Sequence, residues 1–473
     1  MILDKSSYFL LGIKGAAMAN IAVMLQQMGK KVSGVDVPEE FITDIALVKN
    51  SIQFSTDFND TTSLDGYDVF VYSAAHGGED NPLAKAALHK GMILVSQPQL
   101  VGELVGRFPR SIAVAGCHGK TTTSSLLAWA LLQLKKDPSF LIGAPPFGGG
   151  GGGHISGSEY MVVEADEYGV HPPKDKTPKL LFLHPTYALC TNIDFDHPDV
   201  YDSLDMTKKT FIQFFSQAQN NIVCGDDPVI RSLLPILTSK KLKVYGTTAD
   251  CDYRISNLQA RPEGISFELL RHGESQGVFT SLLFGEKNIL NCAGVAGILF
   301  ELGFEAEEIR QALSRFAGAK RRMETVWTDS NSYLIDDYGH HPAEISATIM
   351  ALKSRFPGKK LHILFQPHTF SRTEELKDAF IAELSQADFT YLLPIFASAR
   401  ENPAQFHITS TELARLALNN GRSTFFAFDG KKELLSSLRE KWHPGDVVVT
   451  LGAGDIYKLK DDIIGLLNGK STR

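Results

Sequence analysis

Ser111-Ile-Ala-Val-Ala-Gly-Cys-His-Gly-Lys-Thr-Thr-Thr-Ser-Ser125 runs from a short apolar stretch into a Gly-x-x-Gly-Lys-Thr turn and then into a helix-like apolar pattern. Strand, glycine turn and helix start, in that order, read as a cradle for a nucleoside triphosphate. Gly116 and Gly119 let the backbone pass close to phosphate oxygens, the helix start points N–H groups at them, and Lys120 brings a point charge to the β- and γ-phosphates. Thr121 or Thr122 then offers a hydroxyl to Mg²⁺. The general phosphate-loop pattern has a glycine where this chain has Val114, so the match is to a shortened variant. An ordinary glycine-rich turn before a helix is the competing reading.

Upstream, residues 7 to 13 read as a strand, Gly12 to Gly15 as a tight turn, Met18 to Met28 as a helix, and Lys31 to Asp36 as a second strand ending in an acid. This is the opening of a Rossmann-like unit. Lys14 and Ala17 stand where a dinucleotide binder favours glycine, so NAD is a poor match, and Lys14 beside a helix start suits a diphosphate instead. Further strands are expected at Val69 to Ser73 and Met92 to Ser96. The Arg107-Phe-Pro-Arg110 break sets a first domain at 1–107.

Downstream lies the Gly148 to Gly153 run, a loop expected near the substrate path. Tyr160-Met-Val-Val-Glu-Ala-Asp-Glu then reads as a strand delivering Glu164, Asp166 and Glu167, and Ala188 to His197 as another delivering Asp194, Asp196 and His197. Hard oxygen ligands and one imidazole at the carboxyl ends of strands, facing a phosphate loop, are the donors that Mg²⁺ on ATP needs. For any one of these acids alone, a solvated loop carboxylate is the plain alternative.

A third βα series follows: Ser332 to Tyr338, helix Ala343 to Ser354, strand Lys360 to Phe365, helix Glu374 to Leu384, and Asp446-Val-Val-Val-Thr-Leu-Gly-Ala-Gly-Asp455. Alternation of this kind implies a mostly parallel sheet. The basic junction Phe316-Ala-Gly-Ala-Lys-Arg-Arg-Met-Glu324 divides it from the middle region, giving domains at 108–324 and 325–473.

A chain of 473 residues with 43% apolar content is expected to form several α/β domains, each with its own core. The balance of 47 basic against 54 acidic residues, net −7, gives no sign of a nucleic-acid or membrane surface. Five scattered cysteines without Cys-x-x-Cys spacing indicate neither a disulfide framework nor a zinc site, which fits a reducing cytoplasm. The apolar run opening at Tyr8 is cut short by Lys14 and reads as a buried strand and not a signal peptide.

Nine ordered motifs together resemble the Mur ligases, the ATP-dependent amide-forming family of peptidoglycan synthesis. They are Gly12-Ile-Lys-Gly-Ala-Ala-Met18, Ala115 to Thr123, Glu164-Ala-Asp-Glu167, Thr191 to His197, Asn288-Ile-Leu-Asn291, Lys320 to Glu324, Asp336-Asp-Tyr-Gly-His-His-Pro342, Phe365 to Thr373 and Leu451 to Tyr457. The resemblance implies a Rossmann-like first domain, a central phosphate-loop parallel-sheet domain and a Rossmann-like last domain, binding a UDP-sugar, ATP and an amino acid in turn. The members matched best join L-alanine to UDP-N-acetylmuramate through an acyl phosphate.

Carried over residue by residue, the resemblance gives Lys120 and Thr121 to phosphate and a first metal, with Glu164 and His197 holding a second Mg²⁺. Asn291 resembles an adenine-contacting asparagine, and Arg322 with Asp336 a pair reaching ATP. His340, His341 and Arg372 stand where amino acid and carboxylate should meet, and Gly12, Gly15 and Ser73 resemble the loops seating UDP. For His340 and His341 a structural turn before Pro342 is the alternative. The Glu164 to His197 interval is longer than in alanine-adding members and resembles ligases that attach a murein tripeptide, while Thr369 stands where an arginine is usual. A tripeptide ligase and a phosphate-loop kinase or NTPase therefore stay open, and the expected assembly is a monomer or a homodimer.

Overall fold

A computed structural model describes residues 1–143, 151–237, 241–261, 264–329, 331–397 and 401–471. Of the Gly148 to Gly153 run, residues 148–150 lie outside the described residues. The architecture is α/β with three parallel or mostly parallel sheets in a three-domain layout. Residues 1–259, 266–282 and 288–319 form one compact unit, and residues 260–265, 283–287 and 320–473 another.

The first sheet has β1 (Ser7–Leu11), β2 (Lys31–Val35), β3 (Phe54–Ser55), β4 (Val69–Tyr72) and β5 (Ile93–Ser96) in the order β3-β2-β1-β4-β5. All its pairings are parallel. The five residues of β1 are all buried, as a continuous apolar run in a covered parallel strand must be. Gly12 turns the chain at φ +75°, a conformation that glycine adopts without strain, and Gly15 caps the helix Ala16–Gln27.

The central sheet continues with β6 (Arg110–Ala115), β7 (Ser139–Leu141), β8 (Gly153–His154) and β9 (Tyr160–Ala165). After a separate antiparallel hairpin of β10 (Gly169–His171) and β11 (Asp175–Pro178), it resumes with β12 (Tyr187–Cys190), β13 (Asn220–Cys224) and β14 (Leu242–Gly246). Strands β15 (Tyr253–Arg261), β16 (Gly264–Arg271) and β17 (Glu274–Ser281) complete an order of β17-β16-β15-β14-β13-β12-β6-β9-β7-β8. Register decides what this sheet presents. Ala115 pairs with both Ala165 and Cys190, so β6, β9 and β12 end level and the three loops that follow share one edge.

In the second unit, β18 (Glu324–Thr328) and β19 (Tyr333–Asp337) join β20 (Leu361–Phe365), β21 (Phe389–Leu392), β22 (Phe425–Ala427) and β23 (Val447–Leu451) in the order β18-β19-β23-β20-β21-β22. Only the β18 to β19 pairing is antiparallel. Leu451 is level with Asp337 and Phe365, and Phe365 with Leu392, so this sheet also gathers its loops at one edge. Apolar side chains fill both its faces, with Ile335, Ile363, Phe365 and Val449 on one and Leu334, Leu364, Trp442 and Val448 on the other. The helix expected from Glu374 to Leu384 is instead two short ones, Phe370–Glu375 and Lys377–Leu384, meeting at Leu376.

Candidate active site

The strand β6 delivers the phosphate loop as the sequence requires. Gly116 has φ +134° and a β-carbon there would lie 2.2 Å from Thr191 Oγ1; Gly119 has φ +84° and caps the helix Lys120–Gln133 in the left-handed conformation. Both positions therefore demand glycine. Asn192 clamps the loop from β12, accepting from the His118 N–H at 2.9 Å and donating to the His118 carbonyl at 2.7 Å.

Lys120 donates to the Gly116 carbonyl at 2.6 Å and to both carboxylate oxygens of Glu167, at 2.9 and 2.7 Å. Burial disfavours the ammonium, but the Glu167 charge outweighs it and holds the lysine above its ordinary range. Glu167 also lies 3.5 Å from His197 Nε2, with Asp196 3.6 Å from the same nitrogen. Against burial, these two carboxylates raise the His197 value. Glu167, Asp196 and His197 offer ligand atoms within 4.8 Å of one another, a hard donor set that fits a divalent cation.

Glu164 occupies a neighbouring position. It accepts from Thr121 Oγ1 at 3.3 Å, Ser124 Oγ at 3.2 Å and the Gly143 N–H at 3.0 Å. The sequence grouped Glu164 with His197; in the structure His197 stands with Glu167 and Asp196, and Glu164 with Thr121. Thr122 is buried in the first turn of the same helix, and Asn291 faces Gly119 from the helix Glu286–Glu301.

Asp166 begins the hairpin. Burial would raise its carboxyl, but Lys179, 2.9 Å away, and then Lys120 hold it well below the usual range. The Tyr168 ring meets His197 edge-on, and its hydroxyl donates to Asp199 at 2.7 Å. At the far end, Lys174 meets Glu79 at 2.8 Å and Asp80 at 3.1 Å, and His171 lies against Gly78.

At the first sheet's edge, a β-carbon on Gly12 would lie 3.6 Å from Ser73 Oγ, and Gly15 donates to the Gly12 carbonyl, so the three expected UDP residues share one loop cluster. Lys14 differs from expectation. Its side chain is 3% exposed and its ammonium is held by Asp44 and the Glu39 carbonyl over the Phe54 ring, so its charge is already matched within the domain and is not presented to a diphosphate. Asp36 accepts the Lys14 N–H at 2.7 Å and pairs with His76 at 2.9 Å.

In the second unit, His341 caps the helix Pro342–Arg355, and His340 Nδ1 lies 3.2 Å from the Tyr338 carbonyl and 3.4 Å from Glu344. Arg372 donates to the His368 carbonyl at 3.0 Å, and the His368 and His340 rings are 6.1 Å apart, so these residues share one edge. Asp336 is fully buried. Its partners are Thr450 Oγ1 at 2.7 Å and the neighbouring Arg321, whose Nε is 3.4 Å away, while Arg322 lies over the Tyr338 ring and near Glu344.

The sequence offers Glu167 to Mg²⁺ together with the other acids, and the structure adds its contact with Lys120; Asn192 and Arg321 lie inside the quoted motifs without a role of their own. The Glu-Ala-Asp-Glu motif was the available signal for Glu167; which of its acids turns to Lys120 depends on the path of the chain beyond β9.

Three family profiles match the chain: "Mur ligase family, catalytic domain" over 8–109, "Mur ligase middle domain" over 154–299 and "Mur ligase, glutamate ligase domain" over 321–454. The chain is 34% identical to the UDP-N-acetylmuramate–L-alanine ligase of Desulfitobacterium hafniense over 460 residues, covering 96% of this chain and 98% of that one. It is 36% identical to the ligase of the same name from Lactobacillus acidophilus over 468 residues, covering 98% and 100%. In fold it resembles the UDP-N-acetylmuramate-alanine ligase of Thermotoga maritima, with TM-score 0.80 and 22% identity over 99% of this chain and 100% of that one. It also resembles a murein peptide ligase of Psychrobacter arcticus, with TM-score 0.73 and 22% identity over 98% of each. Matches that run from residue 8 to residue 454 in the family's own order, with relatives covered from end to end, make this chain a member of the Mur ligase family.

Proposed function

We propose that this chain joins L-alanine to UDP-N-acetylmuramate, with ATP as the energy source, in peptidoglycan synthesis. The observation that carries the chemistry is the level ending of β6, β9 and β12, which brings Lys120, Thr121, Glu164, Glu167 and His197 to one edge. The end-to-end likeness to ligases of that name supports the substrates. The γ-phosphoryl group passes to the lactoyl carboxylate, giving an acyl phosphate and ADP; the amine of L-alanine then attacks the acyl carbon, and phosphate leaves. A carboxylate is a poor acyl donor, and the negative charges that must meet need screening before they react.

In this reading Gly116, Gly119, Lys120, Thr121 and Thr122 hold the phosphates, Asn291 the adenine, and Arg322 and Asp336 serve the nucleotide. Thr121 would hold a first Mg²⁺ and Glu164 and His197 a second, with Glu167 and Asp196 beside His197; the ions supply charge neutralisation when bound. Gly12, Gly15 and Ser73 seat the UDP-sugar, and His340, His341 and Arg372 take the amino acid. The domains run 1–107, 108–324 and 325–473, and the place of work is the cytoplasm. No helix among the described residues is long and apolar enough to cross a membrane.

The test is phosphate release from ATP with UDP-N-acetylmuramate present, comparing L-alanine, glycine, L-serine and a murein tripeptide as acceptors. L-alanine should give the fastest release and an amide product. Preference for the tripeptide would reassign the acceptor, and release independent of any acceptor would make the protein an NTPase.

A further inference from the structure

Glu167 is the most thoroughly enclosed acid at the phosphate-loop edge, at 2% exposure, and its partners are the two groups that phosphate chemistry there needs: Lys120 on both oxygens and His197 at 3.5 Å. Tyr201, itself buried, fixes the backbone beneath it by donating to the Glu167 carbonyl at 2.6 Å. Lys120 spends its other donors on the carbonyls of Gly116 and Cys117, so the ammonium can turn to a phosphate only by giving up a contact it already has.

A buried ammonium with no counter-ion would be costly, and a carboxylate in that place meets the need. The same carboxylate repels an incoming triphosphate. Around it stand Asp196, beside the same His197, and Asp166, paired with Lys179.

We infer that Glu167 is a positioning residue: the resident counter-ion that holds Lys120 across the phosphate loop before nucleotide binds, and whose charge makes ATP binding depend on a divalent cation. The inference rests on the assignment of ATP to this loop. Loss of the charge should free Lys120 for phosphate and remove a repulsion, while the alignment of Lys120 and His197 needed for turnover is lost. The two effects have opposite signs, which a merely structural acid would not produce.

The experiment measures ATP affinity by calorimetry on the full chain, in excess chelator and in excess Mg²⁺, for the parent, Glu167→Gln and Glu167→Asp, with melting temperatures recorded alongside. Glu167→Gln should bind Mg²⁺-free ATP about tenfold more tightly than the parent, equivalent to about 1.4 kcal/mol, while its kcat with Mg²⁺ falls. Glu167→Asp keeps the charge and should stay within about twofold of the parent in chelator. Unchanged or weaker Mg²⁺-free binding by Glu167→Gln, or an equal gain in Glu167→Asp, would overturn the role of the charge. A parent protein that binds no ATP under either condition would instead overturn the nucleotide assignment, and this inference with it.

Discussion

Asn291 stands directly over Gly119: its side-chain oxygen lies 3.2 Å from where a β-carbon on that glycine would be. The glycine is also left-handed, at φ +84°, where any other residue is strained. Gly119→Ala therefore meets two obstacles, and relief of either displaces the start of the helix Lys120–Gln133 or the amide of Asn291. The variant is expected to stay folded, since one loop position bears the strain, and to lose ATP binding by at least about tenfold. Calorimetric titration with ATP checks it; parental affinity would mean that the loop holds no phosphate.

Arg372 presents a guanidinium beside the His368 carbonyl at the loop edge of the second unit. A planar fork grips a carboxylate in a way an ammonium does not, so Arg372→Lys should raise KM for L-alanine about tenfold and leave KM for ATP within about twofold. Steady-state kinetics varying each substrate in turn distinguish this from a general loss. Thr369, a site where an added arginine would otherwise be attractive, caps the helix Phe370–Glu375. Thr369→Arg should then gain a charge for the substrate but lose about 1 kcal/mol of cap stability.

Burial pushes the Asp337 carboxyl up to about 6, against the opposing pull of Arg322 and of the Gly339 and Met323 N–H groups that it accepts. Because the folded value lies above the ordinary 3.8, the group favours the fold fully at low pH and loses that contribution as pH rises through about 6. Asp337→Asn should accordingly gain on the parent, between about pH 4 and pH 7, by up to about 3 kcal/mol. Urea unfolding followed by tryptophan fluorescence at several pH values measures that difference. A difference that is flat with pH would refute it.

What could be read from the sequence follows from how local the information is. Buried parallel strands are continuous apolar runs, so Ser7–Leu11, Val69–Tyr72 and Leu361–Phe365 emerge within a residue or two of the expected bounds, as does the helix Ala16–Gln27. The Gly-x-x-Gly-Lys-Thr turn carries its own backbone requirement, and the observed φ of Gly116 and Gly119 meets it. Pairing is not local. Which acid meets Lys120 depends on the register of β6 against β9 and on the turn after Ala165, and the sequence pattern gives Glu164, Asp166 and Glu167 equal standing. The same holds for Asp336, which meets Arg321, a residue whose guanidinium lies over the Tyr338 and Tyr457 rings and whose place there no local pattern gives. Lys14 was readable as a charge but not as a satisfied one, since Asp44 lies thirty residues along the chain.

The hairpin of β10 and β11 leaves the central sheet beside His197 and ends on acids of the first domain. Groups far apart along the chain thereby meet: a substitution at Glu79 or Asp80 alters what Lys174 can reach, and a shortened hairpin takes Lys174 away from both acids. A segment cut near residue 108 and moved into a relative therefore parts Glu79 and Asp80 from Lys174, at a small cost in stability, because both pairs are exposed and solvent screens them.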